Sequence, residues 1–107
     1  MLQSGSDGAA LRFGLATNLL AQGKLDEALE HAQVAVDLDP DYSAAWRLLG
    51  RIRQQLGDPE GAARAFAAGI AVAAKRGDMQ LVKEMRVFLA RAQRAADERK
   101  EKQDPHA

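Results

Sequence analysis

DPDYSAAWRLLGRIRQQLGDPEGAARAF, residues 39–66, reads as two short helices set between turn signals. Pro40 marks the entry turn, because proline cannot continue a preceding helix. The helix that follows carries Trp46, Leu49 and Gly50. Gly57, Asp58 and Pro59 then supply in order a helix stop, a cap and a first-turn proline for the second helix. A lone pair of short helices cannot bury its apolar stripe, so this unit implies neighbours that cover it.

Sliding the sequence against itself by about 34 residues finds such a neighbour. Gly23 falls under Gly57, Leu25 under Pro59, Ala28 under Ala62 and Ala35 under Gly69. Arg12 falls under Trp46, Leu15 under Leu49, Ala16 under Gly50 and Leu19 under Arg53. The run Trp46-x-x-Leu49-Gly50, followed by Gly57, Ala62 and Phe66, resembles the tetratricopeptide signature. The resemblance spans two copies, residues 9–42 and 43–76, with Pro40 closing the first. That first copy lacks the Trp, Gly, aromatic and Phe positions. In the second, Arg53 stands where the family usually has Tyr, and Ala74 where it usually has Pro. The resemblance implies an all-α fold: a right-handed α-α solenoid of two helix-turn-helix repeats closed by a fifth, capping helix, residues 78–96.

Composition agrees with stacked helices. Of 107 residues, 47% are hydrophobic but only 5% aromatic, so Ala, Leu and Val must supply the core. The absence of Cys excludes disulfides, thiolate zinc sites and cysteine nucleophiles. No apolar run approaches the roughly 18 residues that span a bilayer, and no signal-peptide pattern opens the chain; a soluble, cytoplasmic protein with no membrane contact is expected. The net charge of zero conceals a split. Residues 1–42 hold Arg12 and Lys24 against seven acids, and residues 43–107 hold 13 basic and 8 acidic side chains, so the parts carry −5 and +5. Such asymmetry biases association rather than fold.

Helices are expected at 9–22, 25–38, 42–56, 59–75 and 79–101. Residues 1–8 are expected to be a disordered tail, with Ser6 or Asp7 available as a first cap. Leu11, Leu15 and Leu19 form the expected buried stripe of the first helix. Leu25, Ala28, Leu29, Ala32, Ala35, Val36 and Leu38 form that of the second. Asp41 is the expected cap of the third helix, whose Gly50 would let two backbones approach. Asp58 caps the fourth, which buries Ala62, Ala63, Phe66, Ile70 and Ala73. The fifth carries Leu81, Met85, Phe88, Leu89, Ala92 and Ala96 at helical spacing, and residues 97–107 form a charged tail expected to fray or project.

In tetratricopeptide arrays the first helix of each repeat lines a concave face that takes an extended peptide or a helix of a partner. The resemblance therefore places Phe13, Thr17 and Leu20 on that face, with Arg47, Leu48, Arg51 and Gln54 from the third helix and Lys83 and Arg86 from the fifth. Arg47 and Arg51 share one helix face; beside Lys83 and Arg86 they make a basic strip suited to a carboxylate or an acidic peptide. The plainer reading is a solvated, salt-bridged face. Phe13, Leu20 and Leu48 would mark a partner surface if exposed together; the competing reading is ordinary packing. Family members that hold a chaperone's terminal carboxylate use a Lys, Asn and Arg set. Phe13, Thr17 and Leu48 occupy most of the matching places here, which argues against that subtype.

Nothing in the chain forms a catalytic constellation. His31 follows Glu27 by one helical turn, a spacing open to a metal, but a surface histidine is the better reading and no metal or other cofactor is expected. His106 lies in the tail. Asp26, Glu27 and Glu30 lack the apolar setting that raises a carboxyl pKa for acid catalysis, and Gly57 and Gly77 end helices rather than cradle phosphate. The cations of the last helix interleave with Glu84, Asp97, Glu98 and Glu101 and lack stacking aromatics, so nucleic-acid binding is disfavoured. The expected function is a non-catalytic protein–protein interaction module: an adaptor, scaffold or assembly factor. The alternative is a homo-oligomeric assembly unit whose groove is filled by another copy. A homodimer would complete a two-repeat array by setting the acidic first repeat against the basic C-terminal half.

Overall fold

The computed structural model describes residues 8–103; Ser6, Asp7, His106 and the expected N-terminal tail up to residue 7 lie outside them. The described chain is five α-helices: α1 Ala9–Ala21, α2 Leu25–Leu38, α3 Ser43–Gln55, α4 Pro59–Lys75 and α5 Met79–Gln103. Each packs on the next, and α1 also touches α3, which is the nearest-neighbour pattern of a stacked array. The α2 and α4 boundaries coincide with those expected. α5 ends at Gln103, two residues past the expected 101, and includes the first part of the stretch expected to fray or project. There the Arg99 guanidinium meets Glu60 at 3.1 Å and the Gly57 carbonyl at 3.4 Å, so the charged stretch lies along the start of α4.

Three of the four reversals share one geometry. Gly23, Gly57 and Gly77 have φ of 76°, 80° and 77°, the left-handed region that suits glycine. Lys24, Asp58 and Asp78 donate their N–H to the carbonyls of Leu19, Arg53 and Ala73, each at 2.9 Å. The glycines donate to Leu20, Gln54 and Ala74. This paired closure satisfies the last carbonyls of α1, α3 and α4. At two of the three the next helix is then capped, as Asp58 Oδ1 accepts from Gly61 N–H at 2.9 Å and Asp78 Oδ1 from Leu81 N–H at 3.2 Å, while Lys24 before α2 makes no side-chain cap bond.

Entry into α3 works differently. Asp41 does not cap it: the N-cap is Tyr42, with no side-chain cap bond. Asp39 shapes the turn instead, its Oδ1 accepting from Asp41 N–H at 3.1 Å and its carbonyl from Tyr42 N–H at 3.1 Å. Trp46 Nε1–H donates to the Pro40 carbonyl at 2.7 Å and ties the helix to the turn before it.

The core is two clusters of small and branched residues. One joins α1, α2 and α3, with Ala65 of α4, around Ala16, Ala32, Ala35, Leu49 and Ile52. The other joins α4 and α5 around Phe66, Ala73, Val82 and Met85. Full burial of Phe66 contributes about 1.5–3 kcal/mol. Gly50 admits the Phe66 ring rather than a second backbone, since a Cβ there would lie 2.5 Å from the ring. Gly69 likewise leaves space for the Met85 sulfur, 2.6 Å from the position of a Cβ.

The expected stripe of α1 is corrected. Leu11 and Leu15 are 45% and 39% exposed, and Ala16 is the residue α1 buries completely. One repeat later, Ala45 and Leu49 occupy the matching positions at 0% exposure. The difference is a neighbour: α3 has α2 against it, while no described helix precedes α1. Leu38, expected in the buried stripe of α2, is 51% exposed as the last residue of that helix.

Candidate functional site

The first helices of the successive pairs, α1, α3 and α5, carry the residues singled out for a groove. α3 and α5 are tied side by side there. Arg47 Nη1 donates to Glu84 Oε1 at 2.6 Å, and the two side chains keep 33% and 43% of their surface. One turn further along α3, the Arg51 guanidinium lies 5.3 Å from the centroid of Phe88, a distance at which a cation is drawn to the ring face. Phe88 itself leans on buried Phe66, their centroids 5.4 Å apart. The aromatic that supports Arg51 is thus anchored in the core.

The basic strip therefore differs from a row of free cations. Arg47 is ion-paired and Arg51 is laid over a ring, while Lys83 and Arg86 are exposed on α5. Beside the Arg47–Glu84 pair is a depression of about 380 Å³ lined by Ala44, Arg47, Asp78, Gln80, Leu81 and Glu84. Its rim carries both signs of charge, so a carboxylate ligand would have to compete with Glu84 for Arg47.

The remaining candidates divide. Leu48 is 8% exposed and belongs to the core, so it offers nothing to a groove. Phe13 and Leu20 are half-buried against the same cluster, with the Phe13 ring 5.1 Å from that of Tyr42. The three do not form an exposed apolar patch; packing accounts for them. Thr17 is exposed, but its hydroxyl donates to the Phe13 carbonyl within its own helix, at 2.8 Å. Gln54 is half-buried.

His31 Nδ1 lies 3.2 Å from Arg12 Nη1, and among the described residues no three His, Cys, Asp or Glu side chains converge. Arg53, which replaces the usual Tyr, links three helices: it donates to Gln33 Oε1 at 3.0 Å and to the Gly61 carbonyl at 3.2 Å. It also lines a second depression of about 540 Å³ with Asp26, Leu29, Glu30, Gln33 and Val34.

Glu84 and Phe88 were missed by sequence reasoning as parts of the site. They lie 37 residues from Arg47 and from Arg51, and no local pattern links them. Only laying the α5 face against α3 would have found them.

Comparison with known proteins gives a consistent result. A tetratricopeptide repeat family model matches residues 17–86. The TPR repeat-containing protein PA0015 of Pseudomonas aeruginosa is 50% identical over 95 residues, 89% of this chain and 90% of that protein. The heat-shock protein cognate co-chaperone sgt12 of Aspergillus fumigatus is 42% identical over 50 residues, 47% of this chain and 15% of that protein. The solution structure of protein BPP2914 from Bordetella parapertussis superposes with a TM-score of 0.72 at 46% identity, covering 88% of this chain and 82% of that one. A crystal structure of a tetratricopeptide repeat domain protein from Salinibacter ruber gives 0.74 at 27% identity, covering 79% and 96%. Two repeats, their glycine closures and a match across most of the chain lead to one statement: this chain belongs to the tetratricopeptide repeat family.

Proposed function

We propose that this chain is a non-catalytic protein-interaction module that takes an acidic peptide or helix of a partner protein along the face of α1, α3 and α5. The observation that carries the reading is the pair of arginines on consecutive turns of α3. Both guanidinium groups are held toward α5, Arg47 by Glu84 and Arg51 by the Phe88 ring. Lys83 and Arg86 are exposed on α5, one and two residues off the Glu84–Phe88 stripe that meets α3. A ligand carboxylate would meet guanidinium groups already restrained, which reduces the ordering cost of binding. Family membership supports protein or peptide binding in general, and similarity to a protein named as a co-chaperone over 50 residues points the same way. None of the described helices is long and apolar enough to cross a membrane. The reading includes a cytoplasmic location, which cell fractionation tests.

Titration with a panel of acidic, neutral and basic peptides tests the binding mode. Arg47→Glu/Arg51→Glu is expected to abolish acidic-peptide binding. Glu84→Gln is expected to strengthen it several-fold, because the change frees Arg47 from its internal partner. Acidic peptides that bind the charge-reversed protein unchanged would overturn the reading. A second reading, a homo-oligomeric assembly unit, is favoured by a different observation, the exposed leucines of α1.

A further inference from the structure

α2 and α5 each carry a stripe on the side away from the core, and the two stripes have opposite charge. On α2, exposed Asp26, Glu30 and Asp37 interleave with Gln33 and with half-buried Leu29 and Val34, at the i, i+3, i+4, i+7 spacing of one helix face. Most of this stripe lines, with Arg53, the open depression of about 540 Å³. α2 holds Asp26, Glu27, Glu30 and Asp37 but no Lys or Arg. On α5, the side opposite buried Val82, Met85 and Ala92 carries Met79, Lys83, Val87, Ala90 and Arg94, with Arg86 and Arg91 on its flanks. Met79 and Val87 are each 50% exposed.

The stripes match in length as well as in sign. Asp26 and Asp37 are eleven residues apart, as are Lys83 and Arg94, so each outer pair of charges spans about 16 Å along its helix. Between those charges lie Leu29 and Val34 on α2, and Val87 and Ala90 on α5. Among the described residues, none of these charges is in an ion pair. Arg53 is bonded to Gln33 and to the Gly61 carbonyl rather than to an acid of the depression. Within one chain α3 and α4 stand between the two stripes, so they can meet only across two copies. The open leucine face of α1 is the rival seat for α5. It would cover Met79 and Val87, but Leu11, Gly14, Leu15, Asn18 and Gln22 offer no anion to the four cations, which would be desolvated unpaired. Of the two seats, only α2 answers both the apolar and the charged part of the α5 stripe.

We infer that two copies of this chain pair reciprocally, the α5 stripe of each lying along the α2 stripe of the other. Because each copy carries both stripes, a two-fold pair makes the contact twice and closes. The charges of −5 and +5 on residues 1–42 and 43–107 draw two such copies together in opposite directions. The inference deepens the assembly reading and seats it on α2 and α5 rather than on the leucines of α1. It does not depend on the peptide-binding reading, since Arg47 and Arg51 lie outside the contact.

Sedimentation equilibrium of the full chain, with no partner present, tests it. A dimer is expected at low salt, weakening as salt is added because the paired charges stay partly exposed. Asp26→Lys/Glu30→Lys and Arg91→Glu/Arg94→Glu are each expected to lower the association constant about tenfold or more. Mixed in equal amounts, the two variants are expected to recover association. Each reversed stripe then meets its complement, and each unreversed stripe keeps its native partner. Recovery also shows that both variants are folded. Leu15→Glu and Arg47→Glu/Arg51→Glu are expected to dimerise as the parent does, so the peptide reading fails or survives separately. A chain that stays monomeric at every concentration overturns the proposal. So does a dimer insensitive to salt, one broken by Leu15→Glu, or a mixture that stays monomeric while both variants keep the parent's far-ultraviolet circular dichroism.

Discussion

Gly50 and Phe66 exchange size with their counterparts in the first repeat. About 34 residues earlier the same two positions hold Ala16 and Ala32, and Ala16, Ala32 and Phe66 are all 0% exposed. One repeat packs a glycine under an aromatic ring and the other packs two alanines. A Cβ on Gly50 would lie 2.5 Å from the ring, so Gly50→Ala should cost about 1–3 kcal/mol through overpacking. Phe66→Ala should cost about 3–5 kcal/mol through the cavity it leaves. The double variant should cost clearly less than their sum, because the added methyl enters the vacated space. Denaturant titration of the four proteins measures the coupling, and additivity within about 0.5 kcal/mol would refute it. The spacing of Trp46, Leu49, Gly50, Ala62 and Phe66 was enough to mark Gly50 and Phe66 as packing residues. That they touch each other was not legible, because they sit on different helices whose approach is a tertiary fact.

The helices begin and end through local chemistry, and this made α2 and α4 readable to the residue. Gly23, Gly57 and Gly77 act on their own closing turns, and Asp58 caps a helix three residues on. Reading failed at α3, where two aspartates flank Pro40 and either fits the preference for a cap. The fold selects Asp39, whose side chain accepts from Asp41 N–H, while Tyr42 holds the N-cap position. Asp39→Ala should therefore lower stability by about 0.5–1.5 kcal/mol, and Asp41→Ala should stay within about 0.5 kcal/mol of the parent. Thermal melts compare the two, and the reverse order would show that the turn is built on Asp41. α5 ends at Gln103, close to the expected 101, but the part from residue 97 was expected to fray or project. Residues 97–103 lack an apolar stripe, so their sequence reads as a tail. Yet they are helical, and Arg99 meets Glu60 across the start of α4. An exposed pair of this kind contributes at most about 1 kcal/mol, so it guides the helix more than it stabilises the fold.

In the whole molecule, α4 joins the two clusters: Ala65 belongs to the first, and Ala62 and Phe66 to the second. Stability in such a stack is close to a sum of neighbour contacts, so an end helix should open first. Of the two ends, α1 buries only Ala16 completely and carries Gly14 in its middle, whereas α5 buries Val82, Met85, Ala92 and Ala96. In native-state hydrogen exchange of dilute protein, α1 amides should show the least protection among the helix interiors, and α3 and α4 the most. Equal protection throughout would mean that the array opens as a single unit.

By itself, the sequence determined the helical repeat, the glycine closures and most packing positions. All of these rest on spacing and backbone preference within a few residues or at one fixed period. Only the tertiary structure decided that Leu48 is core, that Arg47 is paired with Glu84, that Arg51 lies over Phe88, and that Leu11 and Leu15 face outward. Each depends on which helix lies alongside. A leucine at helical spacing has the same pattern whether a neighbour covers it, as α2 covers Leu49, or none does, as on α1.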